Sequence, residues 1–343
     1  MKHPRALLPF SLLVFAPLLA CSSGEVTSGS GSSTGTTTGT TSSTSSTGTG
    51  GAGGATTSTT GAGGGATTST TGAGGGPIGG PIGGDRPVTV HVPPSYEAGK
   101  PAPLLLLLHG YTATGALQEA YFQATPEADK RGFLFAAPDG TVDQTGAHFW
   151  NATDACCNLY DSMVDDSTYL STVIEQIQAK YSVDPKRIFL LGHSNGGFMS
   201  YRMACDHADQ IAAIASVAGA MYQDATKCSP SAPVSVLEIH GTADAVISYN
   251  GGLVGLSTIP SAQTTVADWA AFDKCSGPPD ATGAPLDLEL TLFGSETTVL
   301  EYKGCEAQSS VKLWSIQFGS HVPTFNPTFI PAVFDFFEAH PKP

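Results

Sequence analysis

The stretch RIFLLGHSNGGFMSYRMA at 187–204 constrains this chain more than any other. A short apolar run, Ile188 to Leu191, meets Gly192-His193-Ser194-Asn195-Gly196, and helix-forming sequence follows at once. The pattern reads as strand, sharp turn and helix, with a serine at the apex. Such a turn holds the serine in a strained conformation, its hydroxyl exposed above a sheet and its neighbours at a helix N-terminus. Small residues flank it because strand and helix pass too close there for larger ones. The pattern needs its context: Gly31-Ser32-Ser33-Thr34-Gly35 has the same spacing but lies in a polar repeat that supports no chemistry. Ser194 is therefore the candidate nucleophile.

The N-terminal region is of another kind. Lys2 and Arg5 precede an apolar stretch from Ala6 to Ala20 that Pro9 and Pro17 interrupt. It is too short and broken for a lasting membrane span and reads as a signal peptide over 1–20. Its end, Leu18-Leu19-Ala20-Cys21, resembles the lipobox of bacterial lipoproteins, which implies lipidation of Cys21 and a membrane attachment through that lipid. Ser22 is not the aspartate that favours inner-membrane retention in such signals, so display at the outer membrane or cell surface is expected. Residues 21–84 are almost wholly Gly, Ser, Thr and Ala, with ATTSTT at 55–60 and again at 66–71, then PIGG at 77–80 and 81–84. So few apolar side chains cannot offset the ordering entropy. As a flexible coil the segment spans roughly 45 Å, a tether for a folded domain over 85–343.

Residues 85–343 suit one sizeable domain with a buried core. The net charge of −14 excludes nucleic acid as an expected partner, because phosphate binding needs a basic surface. If Cys21 carries lipid, six cysteines remain, at 156, 157, 205, 228, 275 and 305. An even number in an exported chain implies disulfides, and six allow 15 pairings. No C-x-x-C or H-x-x-x-H spacing supports a metal site, and no metal or organic cofactor is expected.

Apolar runs at 88–92, 104–109, 133–138, 187–192, 211–219, 234–240 and 311–317 read as strands, most too continuous for one wet face. Helical patterns lie between them. At 165–183, Leu170, Val173, Ile174, Ile177 and Tyr181 share a face, with Asp165 or Asp166 placed to cap. Ser261 caps a second at 261–275, and Asn326 before Pro327 opens a third at 326–340. Strands alternating with helices predict a mostly parallel sheet covered on both faces, with working residues at the strands' carboxyl ends.

A serine hydroxyl needs a histidine to take its proton and a carboxylate to orient that histidine. Asp244 follows the strand VSVLEIH, in Gly241-Thr242-Ala243-Asp244, and is the candidate acid; Asp273 is second but falls inside a helical pattern. His321 follows the strand VKLWSIQ and is the candidate base. His193 sits inside the elbow, His207 ends the next helix, His340 is near the terminus, and His240 closes a strand as a core or turn residue. The order serine, acid, histidine is that of α/β-hydrolases. A developing oxyanion needs two backbone N–H donors, for which Asn195 and Tyr111 are the candidates, and His109 braces the Tyr111 loop.

With these residues in hand, LLLLLHGY, FWNATDACCN with VDDSTYL, the elbow segment 183–219 and LEIHGTADAVISY resemble the polyhydroxybutyrate depolymerase and feruloyl esterase family of secreted α/β-hydrolases. The likeness runs from about Val88 to His340. It implies an α/β-hydrolase fold, a Ser194–Asp244–His321 triad and a Cys275–Cys305 bridge, and leaves Cys156, Cys157, Cys205 and Cys228 unassigned. Family members often carry a tryptophan and proline after the histidine, where this chain has Val322-Pro323. Trp150 could supply an aromatic substrate wall in compensation, or be a packed core residue. The implied activity is ester hydrolysis through an acyl-enzyme on Ser194. Hydroxyalkanoate oligomers are the expected substrate, with feruloyl or acetyl-xylan esters as the alternative. No polymer-binding module follows in this sequence, which favours soluble oligomers. A serine peptidase of this fold usually carries a propeller or large lid, and a non-catalytic binding protein on this scaffold would lack a triad member; neither description suits the chain.

Overall fold

A computed structural model describes residues 81–254 and 257–343. The signal segment, Cys21 and the Gly/Ser/Thr-rich stretch through Gly80 lie outside the described residues. The strands, in chain order, are β1 (Val90–His91), β2 (Ala102–Leu108), β3 (Leu134–Ala136), β4 (Thr141–Val142), β5 (His148–Phe149), β6 (Val183–His193), β7 (Ala213–Val217), β8 (Ser235–Gly241), β9 (Gly252–Val254), β10 (Ser257–Ile259), β11 (Thr297–Tyr302) and β12 (Val311–Ile316). Eight form one sheet in the order β1-β3-β2-β6-β7-β8-β12-β11. Its two outer pairs, β1·β3 and β11·β12, are antiparallel and the rest parallel.

The leucine run shows why the sheet needs cover on both sides. Leu104, Leu106 and Leu108 pack into one core with α3 (Asp166–Lys180), α4 (Asn195–Asp206) and α5 (Ala262–Phe272). Leu105 and Leu107 pack into the other with α1 (Gly115–Phe122), α2 (Thr125–Arg131) and α6 (Phe329–Ala339). Side chains alternate along a strand, so an unbroken apolar run is stable only when each face meets a helical layer. β2 leads outward to β3, whereas β6 leads the other way to β7, so the loops after β2 and β6 part at a crevice between their carboxyl ends.

Helix starts follow local chemistry. Asp165 accepts from Thr168 N–H at 3.1 Å, and Ser261 from Thr264 N–H at 2.9 Å, each satisfying an orphan donor. The third expected start is displaced: α6 opens after Thr328 rather than at Asn326-Pro327. Pro331 then falls in the first turn, where its missing N–H has no intrahelical partner to lose. Strand β11 was not expected; it is a half-exposed edge strand with only short apolar alternation. Ile82, from the second PIGG, is buried in the core, and Gly83 N–H donates to Gln176 Oε1 at 2.8 Å. The Cys275–Cys305 bridge is present, Cys205 is bonded to Cys228, and Cys156 to its neighbour Cys157.

Asp273 closes α5 at the amino end of β8, opposite the end that carries Asp244. It is fully buried; Oδ1 meets Val234 N–H at 3.4 Å, and Oδ2 has no partner among the described residues. Burial raises its pKa to about 7. An unfolded carboxyl ionises near pH 4, so between about pH 4 and 7 the unfolded chain loses this proton while the folded chain keeps it. The stability present below pH 4 is thus lost as pH rises to 7, by up to about 4 kcal/mol. Asp273→Asn is expected to raise the Tm at pH 8 by roughly 5–10 °C and to leave it unchanged at pH 4. Equal shifts at both pH values in thermal unfolding would contradict this.

Candidate active site

Ser194 joins β6 to α4 with φ 53° and ψ −121°, a strained combination for a residue with a side chain. Its N–H is tied to Val217 O at 2.7 Å, which fixes the turn against β7. Close approach enforces the neighbouring glycine: a Cβ at Gly196 would lie 2.1 Å from Leu108 O and 2.7 Å from His109 O.

The loops after β8 and β12 are laced together. Thr242 N–H donates to Ile316 O at 2.9 Å, Ala243 N–H to Gly319 O at 3.0 Å, and Phe318 N–H to Thr242 Oγ1 at 2.8 Å. This brings Asp244 and His321 together although 77 residues separate them. His321 Nδ1 lies 2.8 Å from Asp244 Oδ2, and His321 Nε2 lies 3.0 Å from Ser194 Oγ. An ionised carboxylate only accepts, so Nδ1 carries the hydrogen and Nε2 is free to accept from the serine hydroxyl. Asp244 Oδ1 accepts from Val246 and Ile247 N–H at 2.8 and 2.9 Å. Burial opposes ionisation of Asp244, but hydrogen bonds from His240 and His321 outweigh it and hold the carboxyl well below its ordinary value.

Tyr111 lies in the turn after β2, and a Cβ placed on Gly110 would stand 3.4 Å from Ser194 Cβ, so the turn abuts the serine. Its backbone N–H donates to no acceptor among the described residues, while its hydroxyl anchors to Asp143 Oδ2 at 2.7 Å. Asn195 is the first residue of α4, where the N–H has no intrahelical acceptor. His109 accepts from Gly140 N–H at Nε2, 2.8 Å, and donates from Nδ1 to Gly110 O, 2.8 Å. Burial lowers its pKa, so this neutral form persists and braces the turn.

Trp150 does not wall a substrate pocket. It is fully buried; Nε1 donates to His109 O at 3.0 Å, and its ring lies 5.0 Å from that of His109. The Asn195 side chain clamps its backbone, Oδ1 accepting from Trp150 N–H at 2.7 Å and Nδ2 donating to Trp150 O at 2.9 Å. The core reading of Trp150 is therefore the right one, and it supports the turn that carries Tyr111. Val322 is about half exposed beside His321, leaving no aromatic cover at that position.

Sequence reasoning missed two supports. The buried His193 donates from Nε2 to the His321 carbonyl at 2.9 Å and so holds the loop of the candidate base. Burial, then the nearby His321, lowers its pKa to about 4 and keeps it neutral. The other is His240, whose Nε2 lies 3.4 Å from Asp244 Oδ2. Nothing in the spacing of single histidines announces the His193 contact, because it joins loops from different strands, whereas His240 stands only four residues before Asp244.

Sheet order, helical layers and a serine at a strand–helix elbow define an α/β-hydrolase. The fold matches that of an acetyl xylan esterase from Aspergillus awamori, with a TM-score of 0.52 and 15% identity over 73% of this chain and 93% of that one. The family described as Putative esterase matches residues 80–279, and the chain belongs to that family. Feruloyl esterase B of Piromyces equi is 31% identical over 244 residues, covering 69% of this chain and 42% of that protein. A bifunctional acetylxylan esterase/xylanase of Neocallimastix patriciarum is 30% identical over 167 residues, 49% of this chain and 22% of that protein. The chain thus spans less than half the length of these curated relatives.

Proposed function

We propose that this chain is an exported serine esterase that cleaves carboxylic esters through an acyl-enzyme. The observation that carries the reading is the unbroken contact line from Ser194 Oγ through His321 to Asp244, at 3.0 and 2.8 Å. Ser194 Oγ attacks the ester carbonyl as His321 Nε2 takes its proton, and Asp244 balances the imidazolium. The Tyr111 and Asn195 N–H groups receive the oxyanion. His321 then protonates the departing alcohol, and a water activated by the same nitrogen releases the acid and restores Ser194.

The names of the relatives favour feruloyl or acetyl esters of plant cell walls over the hydroxyalkanoate oligomers expected from sequence. The second reading keeps its support in the segments quoted above. The full chain is expected to hydrolyse methyl ferulate or acetylated xylan with kcat/KM at least about tenfold above that for 3-hydroxybutyrate oligomers. The reverse order would restore the oligomer reading, and no turnover of any of them would sink the esterase reading. In the same scheme residues 1–20 export the chain, Cys21 carries lipid, and residues 22–80 tether the domain, which begins ahead of Asp85 because Ile82 is already buried in its core. Cys21→Ala should move the protein from the detergent phase to the aqueous phase; unchanged partition would contradict the anchor.

A further inference from the structure

A second imidazole approaches the same oxygen of Asp244, Oδ2, that His321 contacts. His240 is buried at the end of β8, with Nε2 2.9 Å from Ile247 O and 3.4 Å from Asp244 Oδ2. Its Nδ1 lies 3.1 Å from Oε1 of Glu238, two residues back on the same strand and fully buried. The other Glu238 oxygen accepts from the Tyr201 hydroxyl on α4 at 3.0 Å.

The hydrogens follow from these partners. A carbonyl oxygen only accepts, so His240 Nε2 must carry hydrogen toward Ile247. Nδ1 and Glu238 then share one further proton, as imidazolium with carboxylate or as imidazole with carboxylic acid. Either form is neutral as a pair, which suits a buried site. Either form also keeps Nε2–H on Ile247 O, with Asp244 Oδ2 3.4 Å from the same nitrogen and Asp244 Oδ1 held by the Ile247 N–H.

We propose that Glu238 and His240 form a positioning pair that fixes the Asp244 carboxylate and the turn beneath it through His240 Nε2–H, extending the contact line to Glu238–His240–Asp244–His321–Ser194. The groups facing this line come from every packed element. Tyr201 reaches it from α4, Tyr249 lies 5.7 Å from His240 with its hydroxyl on Ser315 of β12, and the neutral His193 lies 5.1 Å from His321. Burial lifts the Glu238 pKa; it pushes His240 down, but Asp244 and Glu238 outweigh it, raising His240 to about 9.

The inference rests on the serine-esterase reading, so the test counts reactive serines first. In the full chain, His240→Gln removes the fixed donor, letting Asp244 turn while it holds a protonated His321 more tightly. Per fluorophosphonate-titrated site, kcat should fall at least about tenfold with KM within about twofold. The acidic limb of kcat/KM should move to higher pH by about half a unit or more. A role in core packing alone would lower the number of titratable sites or the Tm, yet leave kcat per site and the pH profile unchanged; that result would overturn the proposal.

Glu238→Gln is the second variant. Its amide donates to His240 Nδ1 and its oxygen still accepts from Tyr201, so Nε2–H stays in place. It should keep kcat per site within about threefold. A folded Glu238→Gln protein whose kcat falls as far as that of His240→Gln would overturn the proposal too. If the esterase reading itself fails, the unaltered chain will show neither titratable serine nor turnover, which separates the two failures.

Discussion

Ser194→Ala is expected to lower kcat for any ester the chain cleaves by about ten-thousandfold or more, with the Tm within about 2 °C of the unaltered protein. The asymmetry follows from what the hydroxyl touches. Ser194 Oγ has His321 Nε2 as its hydrogen-bond partner, whereas the turn is fixed by backbone contacts such as Ser194 N–H to Val217 O. Alanine keeps the same backbone constraint, so the fold loses little while the attacking atom disappears. Residual turnover would come from the Tyr111 and Asn195 N–H groups, which still polarise a bound ester for attack by water. Turnover within tenfold of the unaltered chain, measured on protein purified away from host esterases, would mean that Ser194 is not the nucleophile.

Gly196→Ala is expected to cost the fold heavily, because the added methyl group meets only backbone. Its Cβ would stand 2.1 Å from Leu108 O, 2.5 Å from Leu108 C and 2.7 Å from His109 O. All three are backbone atoms, so no side chain can swing aside. β2 or α4 must shift, and β2 lies in the sheet interior between β3 and β6. Forcing a methyl into a packed interior costs about 1–3 kcal/mol, and more where backbone must move. A loss of at least about 3 kcal/mol lowers the Tm by roughly 6–12 °C for a domain of this size. The displaced atoms lead into the turn that carries Tyr111, so kcat of the surviving folded fraction should fall as well. Calorimetry together with kcat per titrated site separates the two effects. A variant with unchanged Tm would show that helix and strand do not approach as closely as described.

Much of this architecture was legible because it is local. The elbow, the buried leucine run and the caps at Asp165 and Ser261 are patterns within a dozen residues, and the structure forms each of them. The contacts that complete the site are non-local. Neither the clamp of Asn195 on Trp150 nor the support His193 gives His321 leaves a spacing signature, since each joins loops from different strands. Trp150 could be read either as pocket wall or as core, because an aromatic after a short strand fits both; its burial decides for core. The start of α6 was misplaced for a physical reason too. Asn326 and Pro327 are good opening residues, but Asn326 instead turns back on Thr328 and Asp287, and the helix begins after that turn.

The central claim is that Ser194 is a nucleophile activated by His321, and covalent labelling tests it most directly. The full chain and its Ser194→Ala variant would be treated with a fluorophosphonate, and the modified peptide identified by mass spectrometry. The account predicts one phosphonyl adduct per chain, on the peptide carrying Ser194, absent from the variant. An unlabelled native chain, or an adduct on another residue that persists in Ser194→Ala, would contradict it.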